Sequence, residues 1–425
     1  MHRSEKEMVR GIGFLALLAS CFNCTVGGGI FRLPASVFAI SGNASPVVYV
    51  LCFLVMALVA GVFIIVGRKI RVSGGPYAYV KPVLGAYPGY VCGVLLWFLA
   101  TLAFASVANA YARFAALLFS ENPSPVLEAG ILALSLGGLA FFNSQGVKSG
   151  ARVVLLIGLV KVLPLLFLLA IGLPHLDASR VALPDSIAPD TIARGAMVLI
   201  FAFTGVESAL IPSGEIENPE KNLPRAILLS MGLVLLLYLG VHLVSESVLG
   251  PELGTPGIPP LAMAARKLVG EGGALVLAVG AVFSTLGYLS AMTLSLPRSL
   301  LAFSEDGYLP ASLARISPAS HAPVRAIWIQ VCVVYLLAVS SQFERLAVVS
   351  NVAAILMYTM CAVAAVVLLV RSAGGKKSLV LIPVLAILGM AWLLTSVTAV
   401  EWLSVIGLLA AASVVYGVRH RKSGV

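Results

Sequence analysis

The feature that most constrains this chain is a succession of long apolar segments with very few charges between them. Of its 425 residues, 60% are hydrophobic and only 11% are charged. A soluble domain carries roughly 25% charged residues, so this chain could not cover a water-facing surface. A membrane-spanning helix needs about 20 apolar residues, which leaves room for about a dozen spans and for no sizeable soluble domain.

We therefore predict an all-α polytopic membrane protein with about 12 transmembrane helices. Each predicted span is an apolar run bounded by charged, proline or glycine residues. The spans are 11–40, 46–67, 87–119, 126–143, 150–173, 191–214, 223–249, 271–302, 323–341, 346–370, 378–396 and 400–418.

The distribution of basic residues predicts the orientation of these spans. With the N-terminus inside, most of the 28 Lys and Arg residues fall in cytoplasmic segments. The predicted outer loops hold Arg180, Arg194, Arg266, Lys267 and Arg345. The positive-inside rule then places both termini in the cytoplasm. We expect a multi-pass protein of a plasma membrane, of the bacterial inner type. The net charge of +10 is explained by this topology and indicates no nucleic-acid partner.

Two of the predicted spans contain residues that break helices. Residues 25–31 of the first span read Thr-Val-Gly-Gly-Gly-Ile-Phe, and Pro34 follows. Residues 201–207 of the sixth span read Phe-Ala-Phe-Thr-Gly-Val-Glu, and Pro212 follows. Glycine costs about 1 kcal/mol and proline about 3 kcal/mol inside a helix, so a triple glycine should unwind its span.

Unwound backbone at membrane depth indicates a binding site. Lipid cannot satisfy free N–H and C=O groups, so such backbone is tolerated only where it lines a cavity or is buried in protein. A half-helix that begins near Gly29 offers N–H groups and a positive dipole end, whereas one that ends near Thr25 offers carbonyl oxygens. These two ends suit the carboxylate and the ammonium of an amino acid. Broken spans one and six are corresponding positions in two halves of five helices.

Five short motifs, in this order along the chain, resemble those of the amino acid–polyamine–organocation (APC) superfamily of transporters. They are the glycines of the first span with Pro34, residues 73–77 (Ser-Gly-Gly-Pro-Tyr), residues 201–207, residues 217–225 (Glu-Asn-Pro-Glu-Lys-Asn-Leu-Pro-Arg) and residues 305–310 (Glu-Asp-Gly-Tyr-Leu-Pro). The resemblance covers nearly the whole chain. It implies a LeuT-type fold with a 5+5 inverted repeat and broken helices 1 and 6. Residues 1–180 would form the first repeat, 181–372 the second, and 373–425 two extra helices with a short cytoplasmic tail.

The resemblance also implies where substrate binds. The backbone of Gly27, Gly28 and Gly29 would hold the carboxylate, and carbonyl groups near Thr25, Phe201 and Thr204 would hold the ammonium, with the Phe201 ring as a gate. Three further residues would lie near the substrate side chain, although ordinary helix packing explains the first two equally well. They are Phe104, Met292 and Asn351.

Ionisable residues inside the membrane are costly and mark functional sites by default. Lys161 lies midway along the fifth span and Glu207 at the break of the sixth. In sodium-independent carriers that this chain resembles, a helix-five lysine replaces a sodium ion, so we expect Lys161 to contact the Gly28 backbone and Ser284. It would either carry the coupled proton or act as a fixed tether. Glu207 would order the unwound segment or take part in proton transfer.

We predict a sodium-independent secondary transporter of amino acids that works by alternating access. The aromatic residues and Met292 around one acid, Glu207, favour a neutral or apolar amino acid, moved by exchange or by proton coupling. The sixth-span motif also resembles that of cationic amino acid and polyamine antiporters, which is the alternative substrate class. A sensor that binds amino acids without moving them is the alternative of another class.

Enzyme and channel functions find no support in the sequence. The predicted spans contain no paired aspartates and no Ser/His set, so we expect no enzymatic activity. A repeated filter motif is also absent. Cys21 and Cys24 have a C-x-x-C spacing without a second Cys/His pair, so neither a metal nor another cofactor is expected. The histidines are scattered along the chain, and no buried histidine proton relay is predicted.

Overall fold

A computed structural model describes residues 13–70, 75–145, 161–205, 216–255, 259–318, 320, 322–371 and 377–423. Their regular elements are helices, numbered here in chain order. They are α1 (Phe14–Thr25), α2 (Leu33–Ser41), α3 (Ser45–Lys69), α4 (Gly75–Leu84), α5 (Ala86–Leu117), α6 (Pro125–Ser144), α7 (Leu163–Gly172), α8 (Pro189–Phe203), α9 (Pro219–Leu249), α10 (Pro260–Val269), α11 (Glu271–Ser295), α12 (Pro297–Glu305), α13 (Val324–Ser340), α14 (Phe343–Arg371), α15 (Leu381–Leu394) and α16 (Ala399–Ser423).

The helices have the length and composition of a polytopic membrane protein. Within the described residues, seven segments are long and apolar enough to cross a membrane, and four shorter apolar helices accompany them. The long segments are Leu33–Lys69, Ala86–Leu117, Pro125–Ser144, Glu220–Gly254, Glu271–Glu305, Phe343–Arg371 and Ala399–Arg419. Large apolar side chains on the outer helices, such as Leu134 and Phe142 of α6, are exposed as lipid-facing residues should be.

Helix α5 lies at the centre of the bundle, and polar side chains fix its neighbours against it. Ser106 of α5 donates to the Phe343 carbonyl (2.9 Å), and Ser350 of α14 donates to the Leu99 carbonyl (2.8 Å). Asn109 reaches the Ala338 carbonyl at the end of α13 (2.9 Å). Such hydrogen bonds hold helices together where the surrounding lipid is as apolar as the packed side chains.

Two of the motif loops have backbone conformations that explain their composition. Gly307 follows α12 with a φ of +77°, which favours glycine, and the Arg419 guanidinium of α16 lies 4.3 Å from the centre of the Tyr308 ring. Asn218 is left-handed before Pro219, and Arg68 of α3 donates to the Glu220 carbonyl (2.7 Å). Both loops therefore join helices that are distant in sequence.

A bidentate ion pair ties α16 to α8. Arg194 donates to both carboxylate oxygens of Glu401, at 3.0 and 2.9 Å, and the Thr398 backbone N–H donates to the same carboxylate (2.7 Å). The Glu401 side chain is only 8% exposed. The last helix is thus attached directly to the half-helix that carries Phe201.

We predict that Glu401→Gln lowers the free energy of unfolding by about 1–3 kcal/mol, because a buried charge-assisted network loses its charge. The matched control is Glu271→Gln, in the exposed pair that Glu271 forms with Arg266 (2.8 Å), where the loss should stay below about 1 kcal/mol. Melting of both purified variants in detergent measures the difference. Equal shifts would contradict the claim that the buried Arg194–Glu401 pair stabilises the bundle more than an exposed pair does.

Candidate functional site: two facing helix breaks

The first apolar span is interrupted at its glycines, as the sequence predicts. Helix α1 ends at Thr25, and both Val26 and Gly27 have extended backbone conformations. A short 3₁₀ helix (Gly28–Phe31) follows, and α2 begins at Leu33 with Pro34 in its first turn. The chain therefore presents a helix C-terminus and a new helix N-terminus to the same gap.

The end of helix α8 touches the first break. The helix stops at Phe203, Thr204 is extended, and Gly205 has a φ of +112°. A Cβ atom on Gly205 would lie 2.6 Å from the Cys24 carbonyl oxygen, so both the φ angle and the close approach require glycine. Residues 206–215 lie outside the described residues, so the prediction for Glu207 stays a prediction.

The carbonyl groups at the two helix ends accept hydrogen bonds from side chains. Lys161 donates from Nζ to the Asn23 carbonyl (2.6 Å), and the Tyr238 hydroxyl of α9 donates to the Thr25 carbonyl (3.1 Å). At the end of α8, Thr204 Oγ1 donates to the Phe201 carbonyl (2.9 Å). These bonds satisfy acceptors that the broken helices leave free.

The position of Lys161 corrects one detail of the sequence prediction. We expected its ammonium at the Gly28 backbone and Ser284, but its hydrogen bond goes to Asn23, one turn before Gly27. Ser284 of α11 is buried, and its hydroxyl has no hydrogen-bond partner in the described part of the chain. The physical reason is that the Asn23 carbonyl lies in the last turn of α1, where no backbone N–H continues the helix.

The three glycines have different surroundings. A Cβ atom on Gly28 would lie 2.4 Å from Thr285 Cγ2 of α11 and 3.3 Å from Val107 Cγ1 of α5. One on Gly29 would lie 3.0 Å from the Phe201 ring, whereas a Cβ on Gly27 would meet no atom within 4 Å. Gly28 and Gly29 therefore allow close packing, while Gly27 faces open space. The first N–H groups of the 3₁₀ helix, at Gly28 and the residues after it, have no partner within that helix.

Aromatic rings and an ion pair close one side of the breaks. The Phe201 and Phe343 rings meet edge to face with their centres 5.5 Å apart. The Arg32 guanidinium lies 5.4 Å from the centre of the Phe343 ring and donates to Glu344 at the start of α14 (2.9 Å). Ser36 of α2 donates to the same carboxylate (3.0 Å). The arrangement connects α2, α8 and α14.

A cavity of about 450 Å³ lies beyond this ion pair. Its lining includes Arg32, Glu344, Asn109, Arg113 and Gln342. Arg113 is held by Glu128 of α6 at 2.7 Å. The cavity forms a largely apolar vestibule in which Arg32, Arg113 and Glu344 are the charged residues of the lining.

The predicted side-chain pocket is only partly assembled around the breaks. Phe104 is fully buried on α5, one turn from Val107, which faces Gly28. Asn351 of α14 donates to the Met197 carbonyl of α8 (2.7 Å). Met292 lies seven residues after Thr285 on α11, which is about 10 Å along the helix axis, and its sulfur is 3.9 Å from the Ser295 hydroxyl.

The sequence reasoning missed three residues that contact the breaks. They are Tyr238, Thr285 and Phe343. The first two are each one of several hydroxyl-bearing residues in long apolar helices, so no local pattern singles them out. Phe343 has a weak signal, because it directly precedes Glu344 and Arg345 at the start of a span.

A polytopic membrane protein with a broken helix that faces the end of another, beside aromatic rings, has the features of a secondary transporter. The comparisons with known proteins define its family. The chain matches the amino acid permease family over residues 12–420, and it belongs to that family.

Its relatives share a low and nearly uniform identity. The serine/threonine exchanger SteT of Bacillus subtilis is 27% identical over the full length of both chains. The methylthioribose transporter of the same organism is 26% identical, over 98% of this chain and 95% of its own. The arginine/ornithine antiporter of Pseudomonas aeruginosa is 27% identical, over 75% of this chain and 68% of its own. Identity alone therefore does not distinguish between three kinds of substrate.

We predict that Gly28→Ala destabilises the fold by about 1–3 kcal/mol, because its methyl group overlaps the Thr285 methyl group. The double variant Gly28→Ala with Thr285→Ser should regain most of this loss, since serine lacks that methyl group but keeps the hydroxyl that donates to the Ala281 carbonyl (2.7 Å). Gly27→Ala is the control and should melt like the wild type. Equal melting of Gly27→Ala and Gly28→Ala would contradict the close contact between the break and α11.

Proposed function

We propose that this permease carries an amino acid by alternating access around a site between the two helix breaks. The single observation that carries the proposal is the contact of the breaks, where Gly205 lies against the Cys24 carbonyl and the Phe201 ring lies against Gly29. The N-terminal end of the second half-helix would bind the substrate carboxylate at Gly27, Gly28 and Gly29, because N–H groups and the helix dipole favour an anion there. Carbonyl oxygens near Thr25, Phe201 and Thr204 would bind the ammonium.

We propose the twelve-helix, LeuT-type arrangement as the frame for this site. In it, residues 1–180 and 181–372 are the two inverted repeats, and 373–425 add two helices. The equivalent positions of the breaks in α1 and α8 support this reading. Both termini would lie in the cytoplasm of a plasma membrane of the bacterial inner type, in line with the distribution of Lys and Arg. The helices of the core bundle would move relative to α5 and its neighbours.

A neutral amino acid is the substrate class that the contacts support best. Phe201 and Phe343 supply apolar surface, and Phe104 and Met292 would extend it. The Glu344 carboxylate is paired with Arg32, so it gives a basic side chain no free charge. The match to a serine/threonine exchanger over the whole chain agrees with this class. The match to an arginine/ornithine antiporter keeps a cationic amino acid as the second candidate, with Glu207 as its counter-charge.

We propose that transport does not require sodium, because Lys161 supplies a fixed cation at the end of α1. Its ammonium already donates a hydrogen bond to the Asn23 carbonyl. A second unit charge about 4 Å away would be repelled by about 4 kcal/mol at an effective dielectric constant of 20. That repulsion corresponds to roughly a thousandfold loss of sodium affinity.

Flux measurements on the purified protein in liposomes test the proposed function. Labelled neutral and cationic amino acids, diamines and methylthioribose are offered with and without gradients of sodium and of pH, and with unlabelled substrate inside. We expect sodium-independent uptake of neutral amino acids, and faster uptake with internal substrate if the mode is exchange. Strict sodium dependence would contradict the role of Lys161. Binding without flux would indicate a sensor, and folded protein that neither binds nor moves any compound would contradict the proposal.

Removing the tether should slow the cycle. Lys161→Ala leaves the Asn23 carbonyl without its donor, and we expect at least about tenfold slower exchange from the loss of a charge-assisted hydrogen bond of about 1.5–3 kcal/mol. Lys161→Arg keeps the charge and is the control that should retain more activity. An exchange rate and pH profile like those of the wild type in Lys161→Ala would show that the lysine has no part in transport.

A further inference from the structure

Two ionisable side chains lie fully buried in α9, outside the breaks. His242 and Glu246 are one turn apart and have no exposed surface, with Nε2 and Oε2 separated by 3.4 Å. Neither ring nitrogen and neither carboxylate oxygen has a hydrogen-bond partner in the described part of the chain. His242 was not predicted to form a buried relay and Glu246 was not a candidate residue, although their spacing of four places both on one face of the helix.

Among the described residues, no other ionisable group is hydrogen-bonded to the pair or forms an ion pair with it. On α3, the Tyr49 ring lies 4.8 Å from the imidazole, and the Tyr49 hydroxyl is buried without a hydrogen-bond partner among the described residues. Cys52 lies one turn further along α3. Of the other elements packed against α9, α2 and α7 contain no ionisable residue, and α1 contributes only Cys21 and Cys24.

Charged groups lie toward both ends of α9. Glu220, Lys221 and Arg225 lie at its start, where Arg68 of α3 donates to the Glu220 carbonyl (2.7 Å), and the remaining ones lie toward its end. Asp177 and Arg180 contact Ser247, His175 is exposed, Lys267 of α10 pairs with Glu252 at 2.7 Å, and Arg266 of α10 pairs with Glu271 at 2.8 Å. The two α10 pairs are on exposed side chains. They are therefore screened by solvent and neutralise the buried pair only weakly.

The net charge of the pair depends on how many protons it binds. With one shared proton, either as imidazole and carboxylic acid or as imidazolium and carboxylate, the pair is electrically neutral. Loss of that proton leaves a buried negative charge, and gain of a second leaves a buried positive one. An uncompensated charge in a buried pair costs about 3–5 kcal/mol. The proton can therefore leave only when the surroundings of the pair change.

The pair lies between the candidate site and the surface. Tyr238, His242 and Glu246 are spaced by four residues and form one stripe along α9. At one end, the Tyr238 hydroxyl donates to the Thr25 carbonyl at the first break, and the Tyr238 ring lies 5.8 Å from the Phe203 ring at the second. At the other end, Ser247 accepts from the Asp177 backbone N–H (3.3 Å), and its carbonyl accepts from Arg180, which is half exposed.

We propose that His242 and Glu246 form a proton-binding site that loads and releases one proton in each transport cycle. The inference rests on the proposed function, since it assigns the coupling ion to a transporter. The proton would pass between the pair and water at the end of α9 near Ser247. A rearrangement at the breaks would move Tyr238, and with it the surroundings of the pair on the same face of α9. In this scheme Lys161 keeps its charge throughout the cycle.

The decisive variant is Glu246→Gln, because its amide keeps the shape of a protonated carboxyl group and cannot release a proton. A gradient of one pH unit drives about tenfold accumulation for each coupled proton, since one unit is worth 1.36 kcal/mol. We expect wild-type liposomes to accumulate substrate in response to this gradient and to acidify internally as substrate enters. Glu246→Gln should keep exchange at equal pH and lose both responses. Ser245→Ala is the control, because this buried neighbour only bonds the Val241 carbonyl (2.8 Å).

Two outcomes of the flux experiment would overturn the inference. The first is accumulation by Glu246→Gln equal to that of the wild type. The second is wild-type exchange that ignores the pH gradient altogether, which would leave the proposed transport function intact. Failure of the wild type to move any compound would instead contradict the proposed function.

Infrared difference spectra recorded as a function of pH test proton binding by the pair without substrate. They also test the inference if Glu246→Gln loses exchange altogether and the flux experiment gives no answer. A titrating carboxyl or imidazole band that shifts in Glu246→Asp and is altered in His242→Gln supports the site. Absence of any titrating band that depends on either residue would overturn it.

Discussion

The structure depends on one constraint, which is that backbone groups exposed inside a membrane must find partners. Helices α1 and α8 end against each other inside the bundle, and lipid could not satisfy the carbonyl and N–H groups that such ends leave free. Side chains from elsewhere in the chain satisfy the carbonyl groups of α1, with Lys161 on Asn23 and Tyr238 on Thr25. The N–H groups at Gly28 have no such partner within their short helix, which makes them the natural position for an anionic group of the substrate.

The same hydrogen bonds connect the candidate site to its surroundings. Lys161 joins the end of α1 to the segment that leads into α7, and Tyr238 joins it to α9. Phe201 covers Gly29 and meets Phe343, whose neighbour Glu344 holds Arg32. A change of backbone conformation at the glycines must therefore alter contacts with α9 and α14. This is the physical basis for coupling substrate binding to movement of the helices and to the buried pair on α9.

The sequence was sufficient to predict the all-helical membrane fold, the family and the positions of the breaks, because each depends on local features. Glycine and proline inside apolar runs identify the breaks, and short motifs identify the family. The partners at the breaks depend on which faces of distant helices meet. Local patterns in one sequence do not reveal these long-range contacts. Tyr238 and Thr285 were missed for that reason, and Lys161 was expected at the Gly28 backbone and Ser284, whereas it donates to the Asn23 carbonyl. His242 and Glu246 did have a local signal in their spacing within an apolar span, and it was overlooked.

The central claim is that the substrate lies between the two breaks with its carboxylate on the glycine backbone. A cryo-electron microscopy map of the protein with a transported amino acid tests this most directly. The account predicts density between α1, the 3₁₀ helix and the end of α8, with the carboxylate within hydrogen-bond distance of the N–H groups at Gly28 and Gly29. Substrate density confined to the vestibule beside Arg32 and Glu344, or its carboxylate bound by Lys161, would contradict it.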